Sequence, residues 1–229
     1  MSTQRSKRQD ISTTAAAIEA DISALVVRNT PALRAIRQKY SRALAQADPD
    51  FVSQLALRLC QRDDRRWLGY ELLRHHRQAF ARLGTSELEQ LGRGLNSWWT
   101  VDAFARTLAG PAWLALQVSD RLILTWAHSP DRWWRRAALA STVTLNVRSQ
   151  GGLGDARRTL RICRVLVKDR DDMVVKALSW ALRELVVHDA AAVQAFLARY
   201  DAVLAARVKR EVRTKLRTGL KNPRRRPAL

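Results

Sequence analysis

Two stretches of this chain can be laid over one another. SPDRWWRRAALASTV and RDDMVVKALSWALRE superpose so that Arg136 falls on Lys176, an offset of 176 − 136 = 40. Each has an acid ahead of the helix, large apolar residues in the first turn, a cation, and then small residues that let another helix approach. RDDRRWLGYELLRHH reads as an earlier copy. A helix pair repeating about every 40 residues is the sequence sign of HEAT-like arrays, because one pair can bury its apolar face only against the next. The period predicts an all-α fold of HEAT-like helical repeats, stacked into a curved α-solenoid with a concave, basic face.

Composition supports helix over sheet. Only 9 glycines and 6 prolines interrupt the 229 residues, and the abundant Ala, Leu and Arg lose little on entering a helix. No run alternates polar and apolar residues as a half-buried strand does. Ile18, Ile22 and Leu25 share one helical face. Thr30 before Pro31 marks a helix start. Ser86 and Glu89 have capping-box spacing. Gly110-Pro111 reads as a helix stop, and Gly151, Gly152 and Gly154 mark an irregular loop. The organisation predicted is a flexible arm over residues 1–12, one repeat domain over 13–220, and a flexible basic tail over 221–229 with Arg224, Arg225 and Arg226.

Charge narrows the partners. Lys plus Arg number 41 against 21 acids, a net +20, and most of the excess is guanidinium. A balance this basic speaks of a polyanionic partner, nucleic acid above all. Cys60 and Cys163 stand alone in apolar helical contexts, with neither disulfide nor zinc spacing. His75, His76, His128 and His188 show no metal-ligand spacing. No stretch has the apolar length of a signal peptide or a membrane span. These features predict a soluble, cytoplasmic protein without metal or cofactor.

The stretch LNSWWTVDAFARTLAGP holds the most informative residues. Trp98 and Asp102 are four apart, so on a helix they share a face; Trp99 would be turned away and structural. Taken alone, the pattern suits a surface acid beside two core tryptophans as well as an indole and a carboxylate that work together. Arg136 and Trp180, on later repeats, face the same side if successive second helices line one surface.

In order and approximate separation, WWTVD, WWRRAAL and VVKALSWALRE resemble the three core motifs of the AlkD-like DNA alkylation repair proteins, which are HEAT-like-repeat DNA glycosylases. The resemblance spans roughly residues 30–216 and is strongest over 96–184. It leaves the doubled Trp133-Trp134 and the glycine-rich loop unmatched. It implies that Asp102 is the catalytic aspartate, that Trp98 and Trp180 pack on the sugar-phosphate of the damaged nucleotide, and that Arg136 holds the DNA backbone. Arg135, Lys176, Lys209 and Arg210 are further expected phosphate contacts. The implied activity is excision of cationic N3- and N7-alkylpurines from duplex DNA without base flipping, by a monomer at the nucleoid. The alternative is a non-catalytic binder of branched or duplex DNA.

Overall fold

The structure, a computed structural model, describes residues 10–220. Most of the expected N-terminal arm and all of the basic tail, Arg224–Arg226 included, lie outside the described residues. Every regular element among the described residues is helical, as the repeat period predicts. The chain divides into two compact units at Leu83–Gly84.

The first unit holds α1 (Ile11–Ser23), α2 (Thr30–Ala43), α3 (Pro49–Cys60), α4 (Arg66–His75) and the short α5 (Arg77–Ala81). Asp10 caps α1 by accepting from Ser12 and Thr13, so helix begins inside the stretch expected to be arm. Ile18 and Ile22 are buried as predicted, but α1 ends at Ser23 and Leu25 lies beyond it. Asn29, not Thr30, caps α2, with Oδ1 3.0 Å from the Ala32 amide. The core of the unit is Ile18, Ile22, Leu55, Leu68, Tyr70 and Leu73. Arg65, almost wholly buried, donates to Glu19 and Asp64. Buried His76 caps α5 by accepting from the Ala79 amide.

The second unit holds α6 (Thr85–Gly92), α7 (Trp98–Phe104), α8 (Gly110–Leu114), α9 (Asp120–Ala127), α10 (Arg132–Asn146), α11 (Ala156–Val165), α12 (Asp172–Leu185), α13 (Ala190–Arg199) and α14 (Ala206–Thr218). Helices α7, α10, α12 and α14 lie side by side in one layer, and α9, α11 and α13 pack against them from the other. Ala137, Ala138 and Ala140 of α10 and Ala177 and Ala181 of α12 are fully buried. These are the small residues that the repeat comparison singles out, and they allow close helix approach.

Three local expectations change. The predicted Ser86–Glu89 box does not form. The helix starts two residues earlier, with Gly84 rather than Ser86 at the cap, and Glu87 reaches back to the Gly84 amide at 3.0 Å. Gly110-Pro111 does not end the helix. Residues Ala105–Ala109 form a π-turn, and the chain runs straight on into α8. In that wider register the carbonyl of Arg106 would be matched to Pro111, which has no N–H; Gln150 Nε2 lies 3.4 Å from it instead. Gly110 is glycine because a Cβ there would overlap Thr144 of α10. Trp134, unmatched in the family comparison, sits with Phe104 and Trp126 in an aromatic cluster, with ring centroids 4.9 to 6.0 Å apart. That cluster fixes α7 against α9 and α10.

The glycine-rich loop folds over the C-terminal end of α10. Gly151 and Gly154 have φ of 88° and 94°, a region open to glycine. A Cβ on Gly152 would overlap the Thr144 and Leu145 backbone. Below it, Asn146 donates to Thr159 Oγ1 and the Thr142 carbonyl and accepts from the Asp155 amide.

Candidate active site

A cavity of about 650 Å³ opens on the layer formed by α7, α10, α12 and α14. Its lining includes Trp98, Asp102, Arg136, Lys176 and Trp180. The four-residue spacing on α7 does put Trp98 and Asp102 on one face, and the forty-residue offset does put Arg136 and Lys176 on neighbouring helices that face the same space. Trp98 is 55% exposed and Trp99 38% exposed. Trp99 therefore does not enter the core as expected, and it does not line the cavity.

Asp102 is tightly held. Its Oδ1 accepts from Arg136 Nε at 2.9 Å and its Oδ2 from Arg136 Nη2 at 2.8 Å. This bidentate fork is the strong form of the ion pair. Arg136 Nη1 donates to the Met173 carbonyl of α12 at 2.6 Å. Burial pushes the Asp102 carboxyl up from the usual carboxylate range, while the Arg136 hydrogen bonds and the charges of Arg136 and Arg106 oppose that rise. Arg136, expected as a hand on the DNA backbone, is 5% exposed and occupied with Asp102. Its guanidinium orients the carboxylate.

Trp180 is half-buried, and its Nε1 donates to Glu184 at 2.9 Å. The sequence suggests that Glu184 pairs with its neighbour Arg183. Successive helical residues point about 100° apart, so the two cannot face each other. Arg183 instead turns to Ser179 Oγ at 3.2 Å and Glu211 of α14 at 3.8 Å.

The rim is cationic. Lys176 and Arg207 share Asp172, each at 2.7 Å, and the Lys176 hydrogen bond holds the Asp172 carboxyl below its ordinary range. Lys215 donates to the Gly219 carbonyl at 2.6 Å. Three expected phosphate contacts lie elsewhere. Arg135 points away from the cavity, to Asp169 at 2.7 Å and the carbonyls of Ser129 and Pro130. Lys209 turns to Asp201, and exposed Arg210 does not line the cavity. On α14 it is Arg207, Glu211 and Lys215, at four-residue steps, that do. No motif marks them in the sequence, although the step is legible once the helix is known.

Among the described residues no cluster of His, Cys, Asp or Glu is placed to hold a metal ion. No helix among them is long and apolar enough to cross a membrane. Both cysteines are buried. Burial pushes the Cys60 thiol up to about 12 and Cys163 higher still, so neither is poised as a nucleophile.

The family model described as DNA alkylation repair enzyme matches residues 6–222. No curated protein and no solved structure matches the chain.

Proposed function

Because the chain belongs to the DNA alkylation repair enzyme family, we propose that it hydrolyses the N-glycosidic bond of cationic alkylated purines in duplex DNA. The observation that carries this reading is the Asp102 carboxylate sharing one cavity with two indoles, Trp98 and Trp180, while the other two carboxylates of the lining, Glu184 and Glu211, are tied to Trp180 Nε1 and to Arg183 and Arg207.

The residues suit the chemistry. A purine alkylated at N3 or N7 is already positively charged, so it departs as a neutral base and needs no general acid. One carboxylate suffices, where most glycosidases need two. As the bond breaks, positive charge grows on the deoxyribose. Asp102 stabilises that charge and aligns the attacking water. Indole faces attract cations and receive both the lesion and the developing sugar cation. Lys176, Arg207 and Lys215 take phosphates, which positions the strand without reading its sequence. In this reading the protein acts as a monomer at the nucleoid, without a cofactor.

The test is base release. Methylated duplex DNA incubated with the protein should yield free 3-methyladenine or 7-methylguanine. If none appears at any excess of enzyme, the hydrolase reading fails. A second reading, a non-catalytic binder of branched or duplex DNA, draws support from the two Asp102 oxygens both being engaged by Arg136. Preference for branched DNA that Asp102→Asn leaves unchanged would favour it.

A further inference from the structure

Trp180 has two charged neighbours with opposite effects. Glu184 accepts its indole N–H, which pushes electron density into the ring and strengthens its pull on cations. The Arg106 guanidinium lies over the same ring, 5.7 Å from the centroid, and uses part of that pull. Arg106 is exposed. Among the described residues it makes no ion pair with a carboxylate, whereas Lys176 and Arg207 are tied to Asp172 and Arg136 to Asp102. It follows Asp102 by four residues, and its charge acts on that carboxylate. Its backbone sits in the π-turn, with Gln150 at its carbonyl. A guanidinium held only by a ring is easily recruited by an anion, because a phosphate offers it a charge-assisted fork that an indole cannot.

We propose that Arg106 is a phosphate-binding residue that couples the seating of a DNA strand to the binding of a cationic base against Trp180. The proposal rests on the alkylpurine reading above and names its substrate class more narrowly: a cationic base flanked by a phosphate. Without a strand, Arg106 holds positive charge over Trp180 and beside Asp102, and a free cationic nucleoside meets repulsion. Once a phosphate takes the guanidinium, the Trp180 ring is left to the lesion, and Arg136 alone still balances the Asp102 charge. Discrimination between damaged DNA and damaged nucleosides then follows from one side chain.

The experiment compares the wild type with Arg106→Gln, with unfolding temperature as the control for this exposed position. Binding of undamaged duplex is measured across a salt series. Binding of 1-methyladenosine, a nucleoside whose base is cationic at neutral pH, is measured by calorimetry. The expected result is a log–log salt slope smaller by about one, together with 1-methyladenosine binding about threefold tighter, the size of an exposed cation–π contact. An unchanged slope overturns the phosphate role. A smaller slope with unchanged nucleoside affinity overturns the coupling. Neither measurement uses base release, so failure here and failure of the hydrolase reading are separate results.

Discussion

Asp102 and Arg136 make the chemistry of the site depend on a single ion pair, its arginine buried and its aspartate half-buried. Truncating one member of such a pair leaves the other charged and unpartnered, at a cost of about 3–5 kcal/mol. Asp102→Ala is therefore expected to weaken the fold, and Asp102→Asn, which keeps an oxygen for Arg136, is the better test of catalysis. Base release by Asp102→Asn should fall about a hundredfold or more, the order that a preorganised electrostatic group contributes, while duplex binding persists. The pH dependence follows from the same contacts. Burial raises the carboxyl above its ordinary 3.8, so at any given acidic pH more of it is protonated and inactive than for an exposed aspartate. The acid limb of the base-release profile should lie above the ordinary carboxylate value. Arg136→Lys, which loses the bidentate fork, should move that limb to still higher pH; a move to lower pH would contradict the assignment. The sequence makes Trp98 and Asp102 legible because a four-residue step on a helix needs no tertiary information. The forty-residue offset singles out Arg136 as well, but it does not say what Arg136 or Arg135 pairs with. Adjacent helical residues point about 100° apart, and only the packing of α10 shows which guanidinium faces Asp102 and which faces Asp169.

The elements carry their own tests. The π-turn between α7 and α8 needs the glycine-rich loop. Gln150 reaches the Arg106 carbonyl and accepts from Thr144 Oγ1 at 3.2 Å, so Gln150→Ala should cost about 1 kcal/mol, measured by denaturant unfolding. Gly152→Ala should cost more, about 1–3 kcal/mol as for other overpacked sites, because its Cβ would meet backbone rather than a side chain that can swing aside. Equal stability of that variant and the wild type would show that the loop yields. Sequence reading places the loop correctly but misreads Gly110-Pro111 as a stop. Proline signals the loss of a hydrogen bond, and it does not say whether the chain ends the helix or widens one turn to absorb the loss. The same limit hides Arg106, whose importance depends on that turn and on a tryptophan 74 positions later (180 − 106). Arg207, Glu211 and Lys215 were hidden for a different reason: α14 is so rich in cations that its sequence alone does not favour one face.

At the scale of the molecule, charge sets the behaviour. If Arg106, Lys176, Arg207 and Lys215 each meet a phosphate, the logarithm of duplex affinity should fall against the logarithm of salt with a slope of at least about −3.6. A flat dependence would remove nucleic acid as the partner of this face. The fold class and the family were readable from afar because a forty-residue period and three ordered motifs survive without knowledge of any contact. Of the rim's ion pairs, Lys176–Asp172 is a four-residue step within α12, but Arg207–Asp172 joins α14 to α12 and needed the packing to be seen. Arg136 sits where three helices meet. It ties the carboxylate on α7 to the Met173 carbonyl on α12 while itself sitting on α10, so one side chain rivets three helices. The acid is thus half of a structural joint as well as a reactive group. A relative that has abandoned the chemistry cannot simply drop it, because the orphaned guanidinium would strain the seam. Positions 102 and 136 should then change together across the family, and a chain with a neutral residue at the first should also lack arginine at the second.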